Sequence, residues 1–371
     1  MDSYFAVTPP GFEPFTAEEL RLLNLAPLPE PGGVTFKGTL PDLYRANLHL
    51  RTASRLLARL GNFFYTTTFP ELEQRASRLP WERFLVPGQP LSIRVTCHKS
   101  KLYHSDAVAR SVAAGLAVRL GKPSPLVKAD DESDPTPQLV VVRLADDRCT
   151  VSVDSSGTLL HKRGYRQAVA KAPLRETLAA ALLLASGWDR VSPLLDPFCG
   201  SGTIPIEAAL MTQDLPPGLH RRFAFMDWPG FDSVIWQSLL SASPHLRPAS
   251  PILASDRDAG AIQMARANAE RAGVADLIEF KCQAVSSITP PPGPGWVVTN
   301  PPYGLRVSQG KDLRDLYAQF GHVLRQKCPG WELSVLCSDP VLLGQLGLEL
   351  DTSLRFTNGG IHVRLARAKV P

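Results

Sequence analysis

The chain has 371 residues, too many for one ordinary domain, and 44% of them are hydrophobic, so two or three folded domains with separate cores are expected. A formal net charge of +5, from 40 basic and 35 acidic residues, permits a nucleic-acid partner without demanding one. Cys97, Cys149, Cys199, Cys282, Cys328 and Cys337 form no C-x-x-C pair and no cluster at zinc-finger spacing, which predicts free thiols and no bound metal. No uninterrupted apolar run reaches the about 18 residues of a membrane span. The opening "MDSYFAVTPPGFE" lacks the basic and apolar regions of a signal peptide, so a cytoplasmic protein is expected.

Three regions separate by pattern. In the first, residues 1–69, "YFAVTPPGFEPFTAEELRLLNL" reads as a short apolar run, a turn and a helix, with Thr16 as its candidate N-cap ahead of Glu18 and Glu19. The segment "LPDLYRANLHLRTASRLLARL" places Leu43, Ala46, Asn47, Leu50 and Ser54 at helical spacing, with Arg45, Arg51, Arg55 and Arg59 around them, and predicts a second helix. A small α+β unit results. In the second region, residues 70–156, alternation through Ser92–Thr96 predicts a strand, and Ser105 is a candidate cap for a helix running to Gly121. Leu139–Leu144 and Cys149–Val153 flank the turn "ADDR" as a hairpin. Between strand and helix, "CHKSKLYHS" gathers His98, Lys99, Lys101 and His104 around Tyr103, a basic and aromatic loop that is either simply solvated or in contact with RNA.

The third region, residues 157–371, alternates strands and helices as a doubly wound sheet does. Pro173 is a candidate helix start. Strands are predicted at Ser192–Leu195, Ile252–Ser255, Ile278–Cys282, Trp296–Thr299, Glu332–Cys337 and Ile361–Leu365. Helices are predicted over "PIEAALMTQ", "DAGAIQMARANAERAG" and "DLRDLYAQFGHVLRQK".

The stretch "LLDPFCGSGT" has the layout of a first crossover in an open parallel sheet: a strand, then Asp196, then Gly200 and Gly202, then a helix. A dinucleotide fingerprint would want a small residue where Pro205 stands, and a Walker A loop would want Gly-Lys-Ser/Thr. A carboxylate just before the turn repels a pyrophosphate and suits a cofactor with a positive pole. S-adenosylmethionine has one in its ammonium and sulfonium groups. Asp196 is placed for the ammonium, the glycines allow close backbone approach, and Asp256, ending "ILASD", is placed to accept from two ribose hydroxyls, since Asp258 is the better cap for the next helix. Cys199 has no base beside it in sequence and is expected to line the pocket, not to act as a nucleophile. Downstream, "VVTNPPYG" breaks an apolar strand with two prolines. It reads as a strand stop or as a grip for a planar amino group: Asn300 offers a carbonyl oxygen, Pro301 a free backbone carbonyl and Tyr303 a flat ring.

"PGFEPFTAEEL", "SKLYHSDAVARSV", "HKRGYR", "APLRETLAAALL", "LLDPFCGSGTIPIEAAL", "TNPPYG" and "NGGIHVRLAR" together resemble the THUMP-domain RNA guanine-N2 methyltransferases, over nearly the whole chain. The resemblance implies an α/β Rossmann-like methyltransferase domain (157–371) preceded by α+β ferredoxin-like (1–69) and THUMP (70–156) domains. It assigns S-adenosyl-L-methionine to Asp196, Phe198, Gly200, Gly202 and Asp256, and the target base to Asn300, Pro301, Pro302 and Tyr303. Where similar sequences carry an acidic residue for the adenine amino group, this chain has Ala284, leaving Gln283 or a backbone carbonyl for that contact. RNA contacts are expected at Lys99, Lys101, Tyr103 and His104, and at Lys162, Arg163 and Arg166. The implied reaction is methylation of the exocyclic N2 of a guanine in structured RNA, 23S ribosomal RNA ahead of transfer RNA, by a monomer. An N6-adenine methyltransferase acting on DNA and a non-catalytic RNA-binding protein that keeps the fold are the alternatives.

Overall fold

The computed structural model describes residues 1–128, 137–167, 174–241, 251–303, 313–358 and 361–371. Pro173, the expected helix start, and Gly304, which closes "TNPPYG", lie outside them. In chain order the strands are β1 Asp2–Val7, β2 Pro27–Glu30, β3 Gly33–Gly38, β4 Arg55–Arg59, β5 Phe64–Tyr65, β6 Leu91–His98, β7 Gln138–Ala145, β8 Arg148–Asp154, β9 Leu194–Asp196, β10 Ile252–Asp256, β11 Ile278–Cys282, β12 Trp296–Thr299, β13 Glu332–Cys337, β14 Asp351–Asn358 and β15 Ile361–Lys369. The chain divides into two compact units. The first comprises Met1–Thr8, Thr16–Leu160 and Arg221–Ala242, and the second Pro9–Phe15, His161–His220 and Ser243–Pro371.

In the first unit, β2-β3-β1-β4-β8-β7-β6 form one sheet, with β5 on β8; β6 and β7 run parallel and the other pairs antiparallel. Residues of the first two sequence regions therefore share one sheet through the pairing of β4 with β8, Leu57 opposite Asp154. Tyr4, Phe36, Leu56, Ala58, Val140, Val142, Val151 and Val153 bury one face of it, together with Leu43, Leu72, Val108 and Val112 from the helices Leu40–His49, Phe69–Ala76 and Ser105–Leu120.

Three local expectations are corrected here. The helix near the N-terminus is Glu13–Leu22, so Thr16 lies inside it, buried, with its hydroxyl 2.7 Å from that of Thr52; Pro14 fits the first turn, where no N–H is needed, and the start moves upstream. The second predicted helix stops at His49, and Arg55–Arg59 is a strand, because pairing with β1 and β8 overrides a locally helical pattern. His104, not Ser105, is the N-cap of the helix Ser105–Leu120, which ends as expected on Gly121 in the left-handed region, φ 71°.

Arg221–Ala242, part of the third sequence region, belongs to the first unit's core. Phe225 stacks on Tyr44 at 4.4 Å, the Tyr44 hydroxyl accepts from the Asp232 N–H (3.1 Å), and the Trp228 indole donates to Gln138 Oε1 (2.9 Å). Gly115 marks a close approach of two helices: a Cβ there would lie 2.5 Å from the Glu73 carbonyl oxygen and 2.7 Å from the Ala76 Cβ. Gly115→Ala is therefore expected to destabilise the fold by about 1–3 kcal/mol through overpacking, read as a lower urea midpoint; an unchanged midpoint would contradict this contact.

The second unit is a seven-stranded sheet, β11-β10-β9-β12-β13-β15-β14. The first five strands are parallel, and β15 runs antiparallel to β13. Both faces are covered: Leu194 packs into one apolar core and Leu195 into the other. The expected strands are present here, within a few residues at their ends; β14 was not anticipated.

Candidate active site

Strand order reverses at β9, which has β10 on one side and β12 on the other, and the crevice beyond the carboxyl ends of such strands is where an open α/β sheet binds its ligand. β9 ends on Asp196, and the chain turns through Gly200 (φ 51°) and Gly202 (φ 85°) into the helix Thr203–Thr212. Both glycines occupy backbone that L side chains rarely adopt. A Cβ at Gly200 would meet nothing within 4 Å, leaving the turn open to a ligand, whereas one at Gly202 would sit 3.0 Å from the Ala265 Cβ.

Asp196 is 1% exposed. Its Oδ1 accepts from the Thr299 hydroxyl (2.6 Å) and the Phe198 N–H (3.2 Å). Burial raises its carboxyl to about 7, the charge of Asp256 adding to the rise and the two hydrogen bonds opposing it. Cys199 is buried behind the turn, and its N–H donates to the Ser255 carbonyl at 3.0 Å. Desolvation pushes the thiol well above its ordinary range, which suits a lining group and not a nucleophile.

At the end of β10, the Asp256 carboxylate accepts from the Gly200 N–H and from the Asp258 N–H, both at 3.0 Å, so it is tied to the glycine turn. Asp258 is the cap of helix Ala259–Arg271, accepting from Gly260 (2.8 Å) and Ala261 (3.4 Å). The Gln283 N–H donates to the Asp256 carbonyl (2.9 Å), which places Gln283, half-buried, beside exposed Ala284 at the end of β11.

β12 delivers Thr299, then Asn300, Pro301, Pro302 and Tyr303. The Asn300 Oδ1 is buried with no hydrogen-bond partner among the described residues. A buried carbonyl oxygen left this way costs free energy on the order of 1–3 kcal/mol, so it marks a place where a donor belongs. Pro301 is buried, while Pro302 and Tyr303 are half-buried. The hydroxyl of Tyr317, itself 1% exposed, reaches the Pro302 carbonyl at 3.3 Å and steadies the turn from below.

Sequence reasoning missed several of the groups that hold this site. Thr299 links the two motifs directly through Asp196. Asn268 donates to the Ser201 carbonyl at 3.0 Å and fixes the glycine turn from helix Ala259–Arg271. Arg166 donates to the Thr203 hydroxyl (2.6 Å) and the Leu174 carbonyl (2.7 Å), and its Nε lies 3.4 Å from Glu176. Arg163 is 4% exposed and lies 3.6 Å from buried Glu207. These two arginines, read from sequence as RNA contacts, therefore turn their charge into the second unit: a buried guanidinium requires a carboxylate, and Glu176 and Glu207 supply it. Lys162 is half-buried. Lys99, Lys101, Tyr103 and His104 are exposed, Tyr103 by 67% with its ring 4.1 Å from that of His104, and the Lys101 N–H donates to Asp147 at 2.7 Å. Among the described residues, no group of His, Cys, Asp and Glu could hold a metal ion, and no helix is long and apolar enough to cross a membrane.

Residues 163–365 match the family model described as the RMKL-like methyltransferase domain, residues 66–154 the THUMP domain and residues 3–57 the RlmL ferredoxin-like domain. A Synechocystis sp. protein named as an RNA methyltransferase is 34% identical over 98% of this chain and 96% of its own length. The ribosomal RNA large subunit methyltransferase K/L of Syntrophotalea carbinolica is 35% identical over 98% of this chain and 53% of its own, so the chain spans about half the length of such relatives. Among solved structures, a methyltransferase complexed with SAH is 29% identical at a TM-score of 0.87, covering 100% of this chain and 98% of the other. One from Listeria monocytogenes, named as an N6-adenine-specific DNA methylase, is 32% identical at 0.87, covering 100% and 96%. The carboxylate, glycine turn and N-P-P-Y end of β12 thus sit in a chain that belongs to the RMKL-like methyltransferase family and carries that family's ferredoxin-like and THUMP domains.

Proposed function

We propose that the protein methylates the exocyclic N2 of a guanine in structured RNA, with S-adenosyl-L-methionine as cofactor and large-subunit ribosomal RNA as the favoured substrate over transfer RNA, acting in the cytoplasm. The observation that carries this reading is the unpartnered, buried Asn300 Oδ1 at the carboxyl end of β12, next to the reversal of strand order. The K/L relatives' name supports ribosomal RNA, and the SAH-bound neighbour supports the cofactor. The cofactor fits the residues present: Asp196 for its ammonium, Asp256 for its ribose, the open backbone of Gly200 for close approach, Gly202 for the tight turn packed against Ala265, and half-buried Phe198 and Gln283 beside them. When bound it supplies an electrophilic methyl group. The proposed domain limits are 1–69, 70–156 and 157–371, with Arg221–Ala242 an excursion of the last that completes the first unit's core.

An exocyclic amine is a weak nucleophile because its lone pair is delocalised into the ring. Asn300 Oδ1 and the Pro301 carbonyl, by accepting its two N–H bonds, localise that pair and aim it, while Tyr303 sets the plane of the base. Once methylated, the nitrogen is cationic and acidic enough to lose a proton to water, so no general base is nominated. The base must leave its stack to reach such a turn, which favours a loop or an opened helix. Lys99, Lys101, Tyr103, His104 and Lys162 are proposed to hold the surrounding RNA.

The test is mass spectrometry of nucleosides from separately purified ribosomal and transfer RNA, from cells with and without the gene and with Asn300→Ala restored. Loss of N2-methylguanosine from one pool, unrescued by the variant, is the expected outcome. Unchanged pools, or loss of N6-methyladenine from DNA instead, would overturn the reading.

A further inference from the structure

The sheet of the first unit buries one face under helices, but part of its other face carries a different chemistry. Arg59 on β4, Arg143 on β7 and Arg148 on β8 share that face: the register sets Arg143 opposite Thr150, Arg148 opposite both Ala145 and Tyr65, and Arg59 opposite Ser152. Together with Glu30, Tyr65 and Thr150 they line a cleft of about 340 Å³.

The three arginines are not equivalent. Arg59 is committed, bonded to Glu30 at 3.1 Å and lying 4.8 Å from the Phe5 ring. Burial depresses its pKa, and the charges of Arg143 and Arg148 push the same way, against Glu30. Arg143 and Arg148 are exposed and have no carboxylate within ion-pair distance among the described residues. Arg148 instead lies over the Phe63 ring at 4.3 Å. Phe63 (48% exposed) and Tyr65 (60% exposed) stand edge to face at 5.9 Å, so two flat rings and two guanidinium groups outside any ion pair share one open surface, where Glu30 and Asp146 are the carboxylates lining the cleft against three arginines. The hairpin that carries Arg148 also carries Asp147, to which the Lys101 N–H is bonded, so the Lys99–His104 loop is anchored to the same hairpin.

Arginine forks match phosphate oxygens, and exposed rings beside them give bases a surface to stack on, the combination that binds single-stranded nucleic acid without reading its sequence. We propose that this cleft is a second RNA site, taking a single-stranded segment of the substrate with phosphates at Arg143 and Arg148 and a base on Tyr65. The inference rests on the RNA-substrate reading above and adds a contact surface on residues that neither motif includes.

The test is fluorescence anisotropy of the full chain with a fluorescein-labelled twelve-nucleotide oligouridylate, across a salt series, for wild type, Arg143→Glu with Arg148→Glu, and Tyr65→Ala. Calorimetric titration with S-adenosylhomocysteine checks that each variant is folded. The charge-reversed pair is expected to bind the oligonucleotide at least about tenfold more weakly, with the slope of log K against log salt shallower by about 1.4, and Tyr65→Ala about fivefold or more weakly, all three binding S-adenosylhomocysteine alike. Wild-type affinity and slope in both variants would overturn the site while leaving the RNA reading intact. A wild-type chain that binds no oligouridylate would overturn the site, and one that also binds neither purified ribosomal nor transfer RNA would overturn both. Weakened binding of poly-glutamate with unchanged binding of oligouridylate would assign the cleft to an acidic protein instead.

Discussion

Asn300→Ala is expected to lower the rate of methyl transfer by about 10²–10³-fold while leaving affinity for S-adenosylhomocysteine within about threefold of wild type. The scale is that of removing one oriented hydrogen-bonding group from a transition state. Asn300 Oδ1 is the buried acceptor without a partner at the end of β12, whereas the groups assigned to the cofactor lie on the turn after β9 and at the ends of β10 and β11. The two functions should therefore separate. Single-turnover transfer of a radiolabelled methyl group, alongside calorimetry, measures both. A rate within threefold of wild type would remove Asn300 from the chemistry, and a parallel collapse of cofactor affinity would make it a structural residue.

Cofactor affinity should also depend on pH, through Asp196. Its carboxyl stands near 7 in the ligand-free protein, mainly through burial, so below that pH it carries a proton and cannot attract an ammonium. Binding must expel that proton, and affinity for S-adenosylhomocysteine should rise by up to about tenfold per pH unit below 7 and level off above it. The sign for stability is the opposite. A carboxyl whose folded pKa is raised above the unfolded value of 3.8 stabilises the ligand-free fold fully at pH below about 4, and that contribution is lost as pH rises through about 7. Ligand-induced stabilisation should consequently be larger at pH 8 than at pH 6. Asp196→Asn should abolish the pH dependence and weaken binding at pH 8 by roughly 10- to 100-fold, the worth of a hydrogen bond to a charged group. Calorimetry at both pH values in wild type and variant decides the matter: equal wild-type affinities would exclude Asp196 as the ammonium partner.

Much of the second unit was legible because strands buried on both faces appear as short apolar runs, as the central β9 and β12 do, while the edge strand β11 shows itself by alternation, Ile278 and Phe280 buried and Glu279 exposed. β14 escaped because, among the described side chains of "DTSLRFTN", only Phe356 is buried, and its single apolar neighbour on that face, Leu354, is too short a pattern to mark a strand. The helix foreseen through Leu60 failed for a different reason. Its second half is set by partners on β1 and β8, and local periodicity carries no information about those. The same limit explains the site. Asp196, Gly200, Gly202, Asp256 and Asn300 stand in motifs and could be named, but Thr299 acquires its role only when β12 lies beside β9, 103 residues earlier in sequence. Arg163 and Arg166 resemble surface cations in "HKRGYR" until the helices bearing Glu176 and Glu207 place carboxylates against them.

The order of synthesis bears on the excursion Arg221–Ala242. Phe223, Phe225, Trp228 and Trp236 are core residues of the first unit, yet a ribosome makes all of His161–His220, which belongs to the second, before it reaches them. Until then the nascent first unit lacks four of its buried rings, and the Tyr44 face that they cover has no native lid. A gene fragment cut after Leu160 encodes that incomplete state permanently. The first unit is therefore not a transferable cassette, and trading it between proteins requires moving the later segment with it.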